Sequence, residues 1–417
     1  MSWNGRTRIV LVCGRGCGGA LRGELKALGF SGRESSPTTV ETWGTLRDAM
    51  RMNLWVRTAT RVLYELASFE ADSADDFYAA VRALPWEEWL RLDAPFHVHG
   101  TALHKSIRDP RFAVLRCKDA VADRLVERTG ARPDSSSRAE GAAGVSFFWQ
   151  GRKARVFLDT SGVSLSNRGY RWRPWVAPLR ETLAAAILLE LGWPKTPAEA
   201  FVGPMCGSGT LAIEAAWMAQ RRAPGLERRD FAFLHLKGAL VEEWRELQAE
   251  AQGRFRAAPR TWLAASDIAA DAVACARDNA SRAGVEHLIR FAVGDFRETA
   301  LPRPPGLVVV NPGYGGRVGR EEQLAEQYRA LGAWFKRECE GLRVAVFTGN
   351  PALGRQIGLR ATRQTPIWNG NVACRLQEYE MYAGTRDTRL LRKHAGERAS
   401  AAGAATPRRP KTTDDRR

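Results

Sequence analysis

The chain has 417 residues, 44% of them hydrophobic, and a formal charge of +17 from 63 Lys and Arg against 46 Asp and Glu. That length buries substantial cores and divides into two or three domains, and the composition is that of a soluble globular protein. No window reaches the ~18 uninterrupted apolar residues of a membrane-spanning helix, while the positive charge makes nucleic acid the first partner to consider.

From the N-terminus, RIVLVC (8–13) has the composition of a strand, and ALRGELKALG (20–29) places Leu21, Leu25 and Leu28 on one helical face. Between them GRGCGG (14–19) matches GxGxxG. The helix then gives way to SGRESSPTTVETW rather than to an apolar second strand ending in an acid, so a glycine-rich turn fits better than a dinucleotide site. Helices are predicted over roughly 46–65 and 75–90. His97, His99 and His104 lack a Cys or carboxylate at ligand spacing, and HVH alternates like a strand, so no metal site is expected. The seven cysteines, at 13, 17, 117, 206, 275, 339 and 374, form no CxxC pair and read as free thiols of a reducing compartment. With an N-terminal apolar stretch too short for a signal peptide, the expected location is cytoplasmic.

GARPDSSSRAEGAAG (130–144) reads as a solvent loop, and VSFFWQGRKARVFLDTSG as two strands joined at QGRK. Next, SNRGYRWRPW (166–175) interleaves Arg168, Arg171 and Arg173 with Tyr170, Trp172 and Trp175. That composition suits phosphate contact and base stacking, with Arg168, Tyr170 and Arg171 as RNA contacts; the competing reading is an amphipathic linker packed between domains.

From Pro178 strands and helices alternate: a helix over 178–192, a strand at AFV (200–202), the helix LAIEAAWMAQR, the strand TWLAAS, the helix over 271–284, and the strands IRFAVGD, GLVVVNP and RVAVFTG. This pattern predicts an α/β fold with a parallel sheet that takes its ligand at the carboxyl ends of the strands. In the loop GPMCGSGT (203–210), Gly207 and Gly209 permit close approach of the main chain, and the helix starting near Thr210 aims free N–H groups at whatever lies there. The absence of GK[ST] excludes a P-loop, and Cys206 has no base near it in sequence to make it a nucleophile. Asp267 ends the next strand, where a carboxylate accepts from both ribose hydroxyls; Asp295 ends the third and could reach an adenine amino group, with Phe296 beside the ring. Three such strand ends in order predict an adenosine-type cofactor.

At the fourth strand end, in NPGYGGR (311–317), the Asn311 side-chain oxygen and the Pro312 carbonyl could accept both hydrogens of an exocyclic amine and localise its lone pair. Tyr314 would stack on the ring.

These segments, together with RTATRVLYELASF (57–69), KDAVADRLVERTGARP (118–133), LDTSGVSLSNRGYR (158–171), APLRETLAAAILL (177–189), PMCGSGTLAIEAA (204–216), SDIAADAVACARDNASRAGV (266–285) and WNGNVACRL (368–376), resemble the THUMP-domain class I RNA guanine-N2 methyltransferases, especially the bacterial 23S ribosomal RNA enzymes. The resemblance implies a Rossmann-like methyltransferase domain preceded by an α+β ferredoxin-like and THUMP region that grips structured RNA. It implies S-adenosyl-L-methionine as cofactor, its methionine end near Pro204, Cys206, Gly207, Ser208, Gly209 and Thr210, its ribose on Asp267 beside Ile268, its adenine near Asp295 and Phe296, and Asn311 among the cofactor contacts. Asn311, Pro312 and Tyr314 would hold the target guanine. The implied domains are 1–47 ferredoxin-like, 48–160 THUMP, 161–177 linker and 178–383 methyltransferase.

The tail at 384–417, with 10 Lys and Arg against 4 Asp and Glu, is expected to be disordered. Two positions depart from the family pattern: Gly203 replaces the Asp before the first-loop proline, and Gly313 the second proline of Asn-Pro-Pro-Tyr. The alternatives are a transfer RNA guanine methyltransferase, a catalytically degenerate RNA-binding or ribosome-assembly factor, and a DNA adenine methylase, which leaves the first 160 residues without a role. A monomer is the default expectation.

Overall fold

The computed structural model describes residues 3–135, 140–173, 175–176, 178–315 and 321–382. The tail predicted at 384–417 and residues 316–317 of NPGYGGR lie outside the described residues. Two seven-stranded sheets organise the rest. In the first, β1 (Thr7–Cys13), β2 (Arg33–Ser36), β3 (Thr39–Gly44), β4 (Ala59–Glu70), β5 (Phe96–Leu103), β6 (Ala143–Gln150) and β7 (Lys153–Asp159) take the order β2-β3-β1-β4-β7-β6-β5. Neighbours are antiparallel except β5 and β6, which run parallel.

The helix predicted over 46–65 is shorter: it spans Leu46–Trp55, opened by a capping box between Thr45 and Asp48, and the chain then becomes β4. Glu24, on the helix Gly18–Ala27, accepts the N–H groups of Arg57 at 2.7 Å and Thr58 at 3.1 Å. Those donors are therefore unavailable to a continuing helix, and the alternating RVLYEL beyond them adopts a strand. β4 pairs with β1 on one edge and β7 on the other, so the ferredoxin-like and THUMP segments share one sheet and no structural break falls at the expected boundary of 47/48. The hairpin of β2 and β3 lies in the segment SGRESSPTTVETW, where no strand was predicted. His99 bonds the buried Asp159 carboxylate at 2.8 Å, and His104 stacks on Trp149 with centroids 4.5 Å apart.

The second sheet contains β8 (Ala200–Pro204), β9 (Leu263–Asp267), β10 (Ile289–Val293), β11 (Gly306–Val310), β12 (Arg343–Thr348), β13 (Arg363–Asn369) and β14 (Val372–Glu380), ordered β10-β9-β8-β11-β12-β14-β13. The first five in that order are parallel, and β14 is antiparallel to both neighbours. Every residue of β8 and β11 is buried, as expected of central parallel strands covered on both faces. The order runs one way from β8 to β10 and the other way from β11, so the adjacent carboxyl ends of β8 and β11 flank a topological switch point, where such sheets bind ligands.

The two sheets belong to one compact unit, residues 1–381, with a continuous apolar core. Part of the contact between them is the glycine-rich turn at 14–19. A Cβ on Gly16, whose φ is 86°, would lie 2.5 Å from the Pro366 carbonyl oxygen. Its neighbour Arg15 lies over the Trp368 ring, 4.2 Å from the centroid, and its carbonyl accepts the Trp368 N–H at 3.0 Å. The turn thus seats β13, a role that requires glycine for close approach. Among the described residues no helix is long and apolar enough to cross a membrane.

Candidate active site

The loop after β8 passes through Met205 (φ 62°), Gly207 (φ 54°) and Gly209 (φ 79°) before the helix Thr210–Ala219 begins. No side chain caps that helix, so its first N–H groups remain available to a ligand. Gly209 is needed for packing as well as backbone conformation, since a Cβ there would lie 3.0 Å from the Ala276 Cβ. Asp267, ending β9, ties the loop to the neighbouring turn: one carboxylate oxygen accepts the Gly207 N–H at 3.0 Å and the other the Ala269 N–H at 3.1 Å. Beside it Ile268 is 72% exposed, an apolar surface next to a polar anchor. Burial pushes the Cys206 thiol up to about 12, so it carries no thiolate at neutral pH and has no nucleophilic role. Gly203 contributes no carboxylate at the end of β8.

Asp295 lies just past β10, but its carboxylate holds Arg297: Nε and Nη2 each donate at 2.8 Å and the Arg297 N–H at 2.9 Å. The Arg297 hydrogen bonds keep the carboxyl below its usual range. Phe296 departs from expectation. Its side chain is buried and meets Trp334 edge-on at 5.6 Å, so the ring belongs to the core beneath the strand ends rather than beside an open pocket.

At the end of β11 the Asn311 Oδ1 is buried and has no hydrogen-bond partner among the described residues. Pro312 is buried, and Tyr314 is half-buried against Gly349, where a Cβ would lie 2.8 Å from the Tyr314 Cδ2. Burial raises the Tyr314 phenol above its usual value, and Asn369 donates to its hydroxyl at 2.8 Å. Asn369 reaches there because β13 and β14 close through a two-residue loop, Gly370 (φ 61°) and Asn371.

The expected RNA contacts in 166–175 require correction. Arg168 and Tyr170 are each 3% exposed. The Arg168 guanidinium donates to Glu214 at 2.7 Å and to the Arg57 carbonyl at 2.7 Å, and the Tyr170 hydroxyl also reaches Glu214, at 3.2 Å. Arg171 pairs with Glu181 at 3.1 Å and donates to the Leu179 carbonyl and Thr210 Oγ1. All three fasten the linker to the helices beside the glycine loop; burial takes Arg168 and Tyr170 out of reach of RNA, while Arg171, its side chain 20% exposed, is committed to Glu181, Leu179 and Thr210. The packed-linker reading holds for this part of the segment.

Asn279, absent from the sequence prediction, makes five side-chain hydrogen bonds while 1% exposed, one of them to the Cys275 sulfur at 3.6 Å. Its amide donates to the Ser208 carbonyl at 3.0 Å and the Arg173 carbonyl at 3.1 Å, and its oxygen accepts the N–H groups of Trp172 and Arg173 at 3.0 and 3.3 Å. Trp175 lies 3.7 Å from where a Gly207 Cβ would be. The only local signal for Asn279 is a polar residue at a position facing the core of its helix.

A Rossmann-like sheet with a glycine loop after its first strand, a carboxylate after its second and Asn-Pro-Gly-Tyr after its fourth defines a class I methyltransferase domain, here carried behind a ferredoxin-like and THUMP region. The family described as "RMKL-like, methyltransferase domain" matches residues 168–378, and the chain belongs to it. The RlmL ferredoxin-like domain matches 8–63 and the THUMP domain 71–137. Similar proteins include the ribosomal RNA large subunit methyltransferase K/L of Pseudomonas paraeruginosa, 39% identical over 88% of this chain and 52% of that protein. That of Ectopseudomonas mendocina is 37% identical over 95% and 56%. The chain thus spans about half the length of the curated relatives it matches. Among solved structures, that of SMU.472, described as "a putative methyltransferase complexed with SAH", has a TM-score of 0.81 at 25% identity, covering 91% of this chain and 99% of that one. A Listeria monocytogenes protein described as a "predicted N6-adenine-specific DNA methylase" has 0.80 at 29%, covering 90% and 97%.

Proposed function

We propose that the chain methylates the exocyclic N2 of a guanine in structured RNA, with 23S ribosomal RNA as substrate and S-adenosyl-L-methionine as methyl donor. The observation that carries this reading is the buried Asn311 Oδ1 at the end of β11, which has no hydrogen-bond partner among the described residues. Leaving such an acceptor unmade costs about 1–3 kcal/mol, and an exocyclic amine is a donor that would satisfy it. With one hydrogen on Asn311 and the other on the Pro312 carbonyl, the nitrogen is oriented and its lone pair freed from the ring. Tyr314, kept neutral by burial and held by Asn369, gives the base a flat surface on which to stack.

The residues present fit the cofactor. The glycine loop at Pro204, Cys206, Gly207, Ser208, Gly209 and Thr210 takes the methionine end on free helix N–H groups. Asp267 has lone pairs left for the ribose hydroxyls after its two main-chain contacts, and Ile268 offers an apolar face to the adenine. Asp295 reaches the adenine amino group once it shares or releases Arg297. When bound, S-adenosyl-L-methionine supplies a methyl group on a positively charged sulfur. The chain's own contribution is alignment of the nitrogen with that carbon, for which proximity and orientation account for much of the rate. A monomer acting in the cytoplasm completes the proposal.

Gly203 favours a second reading, an RNA-binding or ribosome-assembly factor of low catalytic power, because no carboxylate stands where the methionine ammonium would bind. Calorimetry with the cofactor separates the two, since absence of binding at millimolar concentration eliminates the enzyme. Nucleoside mass spectrometry of a deletion strain then identifies the substrate. Loss of N2-methylguanosine from 23S RNA supports the proposal, loss from transfer RNA alone transfers the substrate, and no change in either pool overturns the guanine assignment.

A further inference from the structure

We propose that Trp172, Arg282 and Arg229 form a track that binds a single-stranded segment of RNA a few nucleotides from the target. The inference rests on the RNA methyltransferase reading and assigns it a contact surface. A cleft of about 430 Å³ is bordered by Asn167–Tyr170, by Arg228–Asp230 and by Arg282 at the end of the helix Ala270–Arg282. Most of its charges are already engaged. Arg168 is held by Glu214, Glu227 by Arg222 at 2.6 Å, Asp230 by His235 at 2.6 Å and the Gly141 N–H at 2.9 Å, and Arg228 by the carbonyls of Ser164 at 2.9 Å and Val163 at 2.8 Å. That leaves the exposed Arg229 and Arg282, which form no ion pair among the described residues, with Glu140 the remaining carboxylate among the lining residues. The free charge is positive and suits a phosphate.

Beside this cleft Trp172 is 66% exposed. Its backbone is fixed, because its N–H is bound to the buried Asn279. The Arg282 guanidinium lies 4.9 Å from its ring centroid. An exposed indole on a tethered main chain, with one guanidinium at its ring and the second, Arg229, lining the adjoining cleft, is the combination that holds single-stranded nucleic acid, where bases stack on aromatics and cations follow the backbone. A duplex would not serve, since its bases are already stacked on each other. The helix rises about 18 Å from Ala270, beside Asp267, to Arg282. The track is therefore within a few nucleotides of the candidate cofactor site, and Asn279 joins it to the Ser208 carbonyl of the glycine loop.

The test is fluorescence anisotropy of the full chain with a short labelled oligouridylate, which is not a methylation substrate, across a salt series. Replacing both cations (Arg229→Gln, Arg282→Gln) should lower the slope of log K against log salt by about 1.4, from about 0.7 per lost single-strand contact. Trp172→Ala should weaken binding by about 5- to 150-fold. Wild-type slopes and affinities in both variants overturn the track, as does an equal loss of affinity for duplex RNA. S-adenosyl-L-homocysteine affinity, measured on the same preparations, should be unchanged and reports intact folding. Oligouridylate binding lost in the variants of a protein that never binds the cofactor keeps the track and refutes the enzyme; cofactor binding with no oligouridylate binding does the reverse.

Discussion

The Asn369 side-chain amide donates to the Tyr314 hydroxyl at 2.8 Å, joining the turn between β13 and β14 to the loop after β11. With Gly349 beneath the ring, this bond fixes the plane against which a base would lie. Asn369→Ala removes it, and the loss of a net hydrogen bond of about 1 kcal/mol should lower kcat/KM for RNA about fivefold with cofactor affinity unchanged. Gly349→Ala should act in the same direction by displacing the ring. Steady-state kinetics beside cofactor calorimetry read both effects.

Asn311 is a case in which function and stability oppose each other. Asn311→Ala deletes the acceptor for the amine and should reduce methylation about 100-fold or more. The same change removes a buried oxygen that has no partner among the described residues, so thermal stability should hold or rise. A large fall in Tm would show that Asn311 serves the fold instead.

Arg168 should behave in the opposite way. Its pairing with Glu214 is buried, the two side chains being 2% and 0% exposed. Arg168→Ala strands the carboxylate and should cost about 3–5 kcal/mol in urea unfolding. The salt dependence of RNA affinity should not change, since Arg168 does not reach a phosphate.

Acid should act on Asp159. Burial would raise its carboxyl, but the His99 hydrogen bond, the His99 and Arg61 charges and the Ser161 N–H outweigh burial and hold it below its usual value. A carboxylate depressed in the folded state stabilises the fold above its unfolded pKa of about 3.9, and that contribution is lost as pH falls through the lower folded value. Asp159→Asn should therefore be less stable at neutral pH and show a shallower decline below about pH 4. Urea midpoints measured across that range check both.

Which residues the sequence revealed, and which it concealed, is set by where each finds its partner. Gly207, Gly209, Asp267 and Asn311 were legible because each sits at a strand end and its chemistry is stated by its neighbours in the chain. The fate of Arg168 and Tyr170 depended on Glu214, more than forty residues onward, so composition alone could not separate a buried clamp from an RNA surface. The end of the helix at Trp55 depended in the same way on Glu24, a carboxylate from an earlier helix that captures two main-chain donors. Phe296 was misplaced because a strand-end aromatic can face the ligand or the core, and Trp334 drew it inward. The hairpin bearing Asn369 could have been found: Gly-Asn, here Gly370 and Asn371, between two runs of strand-forming residues is a two-residue turn signal with glycine in the first position.

The seat that Arg15 and Gly16 provide for Pro366, Ile367 and Trp368 also limits how this protein can be rebuilt. A fragment beginning at residue 178 would resemble a transplantable module, yet it would bare Ile367, which is fully buried in the intact chain, and leave Glu214 without its guanidinium. Any graft of the second sheet onto another RNA-binding scaffold must bring along β1 and the turn after it, or supply a substitute footing for the strand that presents Asn369.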